Sequence, residues 1–149
     1  MGLEEYRARR DFGATPEPEA EQMETGQSRF VVQKHQARRL HYDFRLEMQG
    51  VLRSWALPKG PPTSHGVRRL AVHVEDHPVS YIDFSGTIPE GQYGAGTVQI
   101  WDHGKYVLER EEPDLLEFTL RGKRLSGAYV LVHTDGDSWL LMKRKQERS

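Results

Sequence analysis

Short runs of alternating apolar and polar residues, separated by turn residues, recur along this sequence from about residue 29 onward. Alternation with a period of two is typical of a half-buried β-strand, because successive side chains of a strand point to opposite faces. Many short strands joined by turns are typical of sandwiches and barrels, and closure removes the unpaired edges of a sheet. We therefore expect a mainly β protein, a small closed or partly closed antiparallel β-barrel of about eight strands.

The strand boundaries follow from the positions of glycine, proline and aspartate. The predicted strands cover residues 30–35, 40–47, 51–57, 69–75, 97–101, 105–108, 117–120, 124–133 and 138–144, with a strand or irregular turn at 81–84. The sequence Asp102-His103-Gly104 predicts a hairpin between two of these runs. Leu70, Val72 and Val74 are predicted to share one strand face, opposite Glu75. The glycines between 91 and 96 lack the Gly-Lys-Ser/Thr ending of a P-loop and predict turn geometry only.

The chain of 149 residues is long enough for one domain with a substantial core, and we assign that domain to residues 29–149. Residues 1–28 form an N-terminal arm in this prediction. Pro16 and Pro18 prevent a helix there, and residues 19–26 are acidic with few apolar side chains. Two interpretations are open: a disordered leader, or an arm that packs on the barrel through Arg10-Asp11-Phe12.

Composition excludes several functional classes. The absence of cysteine excludes disulfides, cysteine-bound zinc and a thiolate nucleophile. The N-terminus lacks the apolar stretch of a signal peptide, and no apolar run reaches membrane-spanning length. We expect a soluble, cytoplasmic protein that does not contact a membrane.

Charge is sorted along the chain although the net charge is only −1. Residues 29–70 contain nine Lys or Arg and two acids, whereas residues 71–120 contain two Lys or Arg and ten acids. Residues 121–149 are basic again, with seven Lys or Arg and three acids. Such sorting produces a basic face for nucleic acid if the basic strands are neighbours, and a mixed surface if they interleave.

The strand at 40–47 carries the strongest chemical pattern. Its alternation places His41, Asp43 and Arg45 on one face, with His35 six residues before His41. Two imidazoles and one carboxylate are a common ligand set for a divalent transition metal, and an adjacent guanidinium suits an anion such as phosphate. The competing interpretation is an exposed polar sheet face with ordinary surface charges.

The same pattern fits a second chemistry. A His-x-Asp pair with a distant histidine is also the ligand set of non-haem iron oxygenases, and His77, His103 or His133 could supply that histidine. His77 also suits phosphate binding, general acid catalysis or metal ligation. Tyr81 suits either barrel packing or a hydrogen bond to phosphate. Lys59 and Arg69 suit either a nucleic-acid backbone or plain surface.

Several ordered motifs resemble those of one known family, the 3′-phosphoesterase domain of bacterial DNA ligase D. The motifs span residues 10–12, 15–18, 29–35, 37–47, 54–60, 69–72, 75–78, 88–94 and 101–104. They cover nearly the whole chain. The resemblance implies a small β-barrel enzyme with an N-terminal arm, dependent on manganese, that processes the 3′ ends of DNA.

The family's activity, carried over by this resemblance, has two steps. A phosphodiesterase step removes a 3′-terminal ribonucleoside from the primer strand of a primer-template, and a phosphomonoesterase step then removes the 3′-phosphate. The product is a 3′-hydroxyl suitable for ligation, which implies a DNA ligase and a polymerase of end joining as partners. The chain is then either a free-standing relative or one module of a longer protein. A third hypothesis is a non-catalytic barrel that binds nucleic-acid ends.

Residue roles follow from the resemblance position by position. His35, His41 and Asp43 match the metal ligands. The matched phosphate-binding and catalytic residues are Arg45, His77 and Tyr81, and those with supporting catalytic or DNA-binding roles are Glu75, Lys59, Arg69, Arg10, Asp11 and Glu17. Without cysteine, a metal-activated water is the expected nucleophile, and a covalent histidine intermediate is the alternative. His77 as phosphate ligand or as general acid stays open.

Overall fold

The computed structural model describes residues 3–18 and 28–145. The chain order is helix α1 (Glu4–Ala8), β1 (Arg29–Gln36), β2 (Leu40–Met48), β3 (Val51–Leu57), β4 (Arg68–Pro78), a 3₁₀ helix (Val79–Asp83), β5 (Gly86–Ile88), β6 (Gly96–Glu112), β7 (Leu115–Arg121), β8 (Ser126–Asp135) and β9 (Ser138–Lys143). Segment 81–84, predicted as a strand or irregular turn, is therefore largely the end of the 3₁₀ helix. Residues 19–26, predicted to be acidic and poor in folding drive, lie outside the described ranges.

The strands form one antiparallel sheet in the order β1-β2-β3-β4-β9-β8-β7-β6, and pairing between β1 and β6 closes it. The predicted barrel is confirmed: eight strands close, and β5 adds a short ninth strand beside β6. The predicted strands 40–47 and 51–57 are also present, as β2 and β3, and a tight turn joins them. Gln49 and Gly50 both adopt positive φ, 53° and 82°, which suits a two-residue hairpin turn.

The predicted hairpin at Asp102-His103-Gly104 is wrong, because this tripeptide lies within the continuous 17-residue strand β6. β6 changes partner here: Lys105 is the last residue paired with β1 and the first paired with β7. The glycine serves close approach rather than a turn, since a Cβ at Gly104 would strike the carbonyl of Arg121. The Asp102 carboxylate accepts three backbone N–H groups from the β7–β8 connection, residues 123–125.

The predicted facing of β4 is wrong at its C-terminal half. Val74 pairs with Ser54 and His77 pairs with Leu52, so three steps on β4 match two on β3. This extra residue is a β-bulge, and it re-aims the side chains that follow it. Val74, Glu75 and His77 therefore all line the same cavity on the outside of the barrel, whereas simple alternation separates Val74 from Glu75.

Two apolar clusters occupy the two sides of the barrel wall. The inner cluster fills the barrel with side chains that include Phe30, Phe44, Leu46, Trp55, Leu57, Phe118, Tyr129 and Leu141. The outer cluster lies between the barrel and the segments covering it, and includes Tyr6, Val31, Leu52, Tyr81, Ile82 and Phe84, with Phe12 packed against it. The 3₁₀ helix and residues 3–18, which we call the N-terminal segment, thus cover the outer face of the barrel near β1 to β4.

This cover buries the row of polar side chains on the outer face of β2. Asp43 is 7% exposed and Arg45 is 3% exposed, so the interpretation of an exposed polar face is wrong. Arg10 from the N-terminal segment reaches across 65 residues to bond Glu75 at 2.6 Å. No helix among the described residues has the length and apolar character needed to cross a membrane.

Candidate metal and phosphate site

A cavity of about 250 Å³ lies on the outer face of β1 to β4, beneath the N-terminal segment. The loop 89–95 and the 3₁₀ helix complete its walls. Its lining includes Arg10, Glu17, His35, His41, Asp43, Arg45, Glu75, His77, Tyr81, Tyr93 and Gly94. Most of the chemistry-bearing residues predicted from the sequence therefore converge on one cavity.

His35, His41 and Asp43 form a compact donor set at one end of this cavity. Because β1 and β2 pair antiparallel, His35 lies directly opposite His41, and Asp43 follows two residues along β2. One donor atom from each residue lies within 4.8 Å of the others. The Asp43 carboxylate is 3.3 Å from His41 Nε2 and 3.5 Å from His35 Nδ1. These residues form a group that can hold a metal ion.

Backbone carbonyls fix the orientation of both imidazoles. His35 Nε2 donates to the carbonyl of Gly94 at 2.8 Å, and His41 Nδ1 donates to the carbonyl of Arg39 at 3.3 Å. In each ring the other nitrogen, which faces Asp43, is left without its proton in the neutral form. This arrangement, with an outer N–H held and an inner nitrogen free, is the one that metal-binding histidines use. The donor set therefore fits a divalent transition metal.

The charges of this group are coupled. Burial raises the pKa of the Asp43 carboxyl, but the hydrogen bonds that His35 and His41 donate when their inner nitrogens are also protonated, together with the charge of Arg45, outweigh it and hold that pKa well below its usual range. Asp43 is therefore ionised. Its hydrogen bond in turn raises the pKa of His41, against the effect of burial. An anionic carboxylate beside two imidazoles attracts a cation.

Arg45 is held rigidly and offers one free donor. Its Nε donates to Gln33 Oε1 at 2.7 Å, and the Gln33 amide donates to the carbonyls of Tyr81 and Phe84. Arg45 Nη2 lies 3.6 Å from Asp43 Oδ2. Nη1 is buried and has no hydrogen-bond partner among the residues described. A buried unpaired guanidinium N–H beside a metal group suits an anionic ligand, because such a donor is costly to leave unsatisfied.

His77 enters the cavity as a neutral base. Its Nδ1 donates to the carbonyl of Glu75 at 3.1 Å, which leaves Nε2 unprotonated. Burial, together with the charges of Arg45 and Arg10, holds the pKa of His77 well below its ordinary value. The ring packs edge-on against Tyr81, with ring centroids 4.6 Å apart. Nε2 can therefore take up a proton when an anion enters beside it.

The N-terminal segment closes the cavity with buried charges. Arg10 Nε lies 3.1 Å from Glu17 Oε2, and the Tyr81 hydroxyl donates to the same oxygen at 2.8 Å. Burial raises the pKa of Tyr81 well above its ordinary value, so the phenol keeps its proton and acts as a donor. Glu75 accepts bonds from Arg9 and Arg10 at 3.1 and 2.6 Å. The barrel and the segment thus share one polar network.

Comparison with known proteins identifies the group to which this architecture belongs. The sequence model of the DNA Ligase D 3′-phosphoesterase domain matches residues 33–133, well over half of the chain. The chain belongs to the DNA ligase D 3′-phosphoesterase domain family. The matched range contains all three metal-group residues as well as Arg45, His77 and Tyr81.

Similarity to full-length relatives extends over the N-terminal segment as well. The chain is 49% identical to the multifunctional non-homologous end joining protein LigD of Pseudomonas aeruginosa over 96% of its length, and 48% identical to that of Mycobacterium tuberculosis over 98%. Identity to the Mycolicibacterium smegmatis protein is 44% over 99% of the chain. The chain spans about a fifth of the length of these relatives (18 to 21%).

Three of the predicted site residues lie away from the cavity of this phosphoesterase domain. Lys59 is exposed beyond the end of β3, and its carbonyl accepts a hydrogen bond from Arg69, near the start of β4. Asp11 is exposed, and its carboxylate accepts the backbone N–H of Gly13. His103 and His133, considered above as metal ligands, also lie outside the cavity lining. The other predicted site residues all line it.

Sequence reasoning missed four residues that shape the site. Gln33 anchors Arg45, Gly94 orients His35, and Arg9 bonds both Glu75 and the Tyr93 hydroxyl, the latter at 2.7 Å. Gln33 was detectable, because it lies two residues before His35 on the same strand face. The part played by the glycine-rich loop was not, since a backbone carbonyl leaves no residue-type signal.

Proposed function

We propose that this protein is a manganese-dependent 3′-end-healing phosphoesterase of DNA. It removes a 3′-terminal ribonucleoside by phosphodiesterase action and then the resulting 3′-phosphate by phosphomonoesterase action, leaving a 3′-hydroxyl for repair. Membership of the 3′-phosphoesterase domain family supports the reaction class. The enzyme is a hydrolase in this proposal, with a primer-template 3′ end as its substrate.

One observation carries the proposal: three oriented metal donors and an unsatisfied buried guanidinium face the same small cavity. His35, His41 and Asp43 would hold the metal through the nitrogens and oxygens that face one another. Manganese accepts imidazole and carboxylate ligands together, and a bound divalent ion supplies Lewis-acid charge and lowers the pKa of a coordinated water. Arg45 Nη1 supplies the complementary donor for a phosphate oxygen.

The roles of the other residues follow from their protonation states. Arg45, permanently cationic, stabilises negative charge that develops on the phosphoryl oxygens. His77 is neutral in the free protein, and an incoming phosphate raises its pKa, so that Nε2 becomes protonated and donates to the phosphate or to the leaving oxygen. Tyr81, held as a neutral phenol, donates a hydrogen bond and positions Glu17.

The N-terminal segment and the strand ends supply supporting contacts. Arg10, Glu17 and Glu75 line the same cavity as the metal group, are joined by ion pairs, and would orient the terminal nucleoside. Asp11 stabilises the turn between Arg10 and Glu17, through its bond to Gly13. Lys59 and Arg69, outside the cavity, would contact the DNA backbone.

The cellular setting is part of the same proposal. The relatives named above are described as multifunctional proteins of non-homologous end joining, from bacteria. We infer that this chain processes DNA ends in that pathway, in the cytoplasm, with a DNA ligase and a polymerase as its functional partners.

The test is a labelled primer-template that ends in a single 3′ ribonucleotide, incubated with manganese or with a chelator. Loss of one nucleoside and then of the phosphate supports the proposal. His41→Ala should abolish both products, while His103→Ala, an exposed histidine outside the cavity, should leave them unchanged. Failure of the wild-type protein to cleave under any divalent metal would contradict the proposal.

Two other functions are distinguished by the same assay. The donor set also suits ferrous iron in a non-haem oxygenase, which would oxidise its substrate without cleaving the phosphodiester. A non-catalytic end-binding barrel would bind the DNA without turnover, and His41→Ala would leave that binding intact.

A further inference from the structure

Exposed or half-buried cations gather at one end of the barrel, next to the cavity. We call these seven residues the basic rim: Arg38, Arg39, Lys59, Arg68, Arg69, Lys143 and Arg144. They come from two basic regions that are separated by the acidic region 71–120. Of the seven, only Lys59 and Arg69 belong to the residues assigned above to DNA.

The sheet register explains why the two basic regions meet. Arg38 and Arg39 lie in the turn before β2, and Lys59 follows the end of β3. Arg68 begins β4 and pairs with Met142 of β9, next to Lys143. The cationic segments therefore lie at the same end of four neighbouring strands, β2, β3, β4 and β9.

The opposite end of the barrel carries acids. The turns and strand ends there contain exposed Glu109, Glu111, Glu112, Asp114, Asp135 and Asp137. Arg110 also lies there, 2.5 Å from Glu112. The charge sorting seen in the sequence is thus kept in space rather than mixed, and the barrel has a basic end and an acidic end. A surface polarised in this way attracts and orients a polyanion.

The part of the basic rim on β4 and β9, which is the part away from His41, forms a shallow groove. Arg68, Lys143 and Arg144 stand around Val130 and Met142, in a depression of about 300 Å³. Arg144 is 47% exposed although Glu117 lies 3.5 Å from it. Cationic walls over an apolar floor suit a sugar–phosphate backbone, which presents charged oxygens beside apolar sugar faces.

We propose that the basic rim binds the backbone of duplex DNA that leads to the 3′ end in the cavity. The rim starts at the turn two residues before His41 and crosses three strand spacings of about 4.8 Å, or about 14 Å in all. At a rise of 3.4 Å per base pair, this length matches about four base pairs. The assignment of the 3′ end to the cavity rests on the proposed function, whereas the rim itself rests on the charge distribution.

A duplex fits this surface better than a single strand does. The rim is broad and rich in arginine, and Tyr93 is the one aromatic among the exposed large hydrophobic side chains of the described residues, which therefore offer no row of exposed aromatics. Sequence-independent single-strand binding normally uses such a row of stacking aromatics. A duplex needs only distributed cations, because it carries one negative charge per about 1.7 Å of axis.

The experiment measures binding of a fluorescent primer-template by anisotropy across a range of salt concentrations, with chelator present to prevent cleavage. Arg68→Gln should weaken binding roughly five- to tenfold at 0.1 M salt and lower the slope of log K against log salt by about 0.9. Arg68→Gln with Lys143→Gln should approximately double both effects. The matched control is Arg110→Gln, an exposed arginine at the acidic end, which should change neither quantity.

Two further measurements separate this proposal from the proposed function. Manganese affinity, and hydrolysis of a small chromogenic phosphodiester by the wild type and the variants, test the cavity without the duplex. The variants should match wild type in both. If the wild-type protein cleaves no substrate, and its DNA binding still depends on Arg68 and Lys143, the rim proposal is supported and the proposed function is contradicted. Unchanged duplex affinity in the double variant, or equally tight binding of single-stranded DNA, would overturn the rim proposal.

Discussion

The inner and outer faces of β2 are both buried, but what buries them differs. Inside the barrel, Phe44 and Leu46 are fully buried within a continuous apolar cluster. On the outside, Asp43 and Arg45 are almost as inaccessible, yet they are surrounded by charged and hydrogen-bonding groups. Packing on the inner face depends on the shape and volume of the side chains, whereas burial on the outer face depends on specific hydrogen-bond and ion-pair partners. One strand therefore provides stability with one face and chemistry with the other.

The largest effect on stability is expected inside the barrel. Phe44→Ala removes a ring that packs against Phe30, Trp55 and Phe118, and should lower the free energy of unfolding by about 3–5 kcal/mol. Urea denaturation followed by tryptophan fluorescence measures this. Phe44→Leu, which keeps most of the volume, should lose clearly less. Equal losses in both variants would show that packing at this position is not what stabilises the barrel.

Outside the barrel, His41→Ala should separate chemistry from stability. The side chain is 25% exposed, so its loss should change the unfolding free energy by less than about 1 kcal/mol in the presence of chelator. Manganese affinity should fall by more than about 100-fold, because the variant lacks a ligand and not merely an outer partner. Calorimetric titration of manganese measures it, with His103→Ala as the control. Retained affinity would remove His41 from the metal group.

A third prediction concerns the N-terminal cover of the outer face. Glu75→Gln removes the charge that pairs with Arg9 and Arg10, while its side chain stays buried at 2% exposure. Hydrogen exchange of amides in residues 3–18 should accelerate roughly tenfold or more, because breaking a buried pair favours local opening. The exchange rates of amides in the barrel strands should be unaffected.

The matched control for this change is Glu5→Gln. Glu5 also pairs with Arg9, but its side chain is 57% exposed, so its charge contributes little. If the amides of residues 3–18 exchange at the same rate in both variants, the buried ion pairs of Glu75 do not hold the segment in place.

The smallest effect concerns pH, and it compares the two faces of β4. His73 stacks on Trp55 inside the barrel, and His77 lines the outer cavity. Burial lowers the pKa of both histidines in the folded state. The unfolded chain therefore binds protons first as pH falls below about 6.5, and stability should decline there by at most about 1.4 kcal/mol per pH unit for each histidine.

His77→Gln should flatten this decline between about pH 6.5 and 5, with each protein compared with its own stability at pH 7.5. Thermal denaturation of the metal-free protein at a series of pH values measures the difference between variant and wild type. A steeper decline in the variant would mean that His77 is charged in the fold.

The alternation of β2 was sufficient to predict that His41, Asp43 and Arg45 share a face, which leaves Phe44 on the opposite one. It could not predict the burial of that face, because the cover comes from distant segments. The same limit applies to β4, where the bulge before His77 depends on its pairing with β3. The glycine at 104 was misassigned to a turn, because a glycine needed for close approach has the same sequence signal as one in a turn.

The bond between Arg10 and Glu75 spans 65 residues of chain and has a consequence for synthesis of the protein. At about 5–20 residues per second, Arg10 leaves the ribosome roughly 3 to 13 seconds before Glu75 does. During that interval the N-terminal segment has no barrel surface on which to pack, and Glu75, the barrel partner of its arginine, does not yet exist. The cavity can therefore be closed only late, by a segment that is made before the strands it covers.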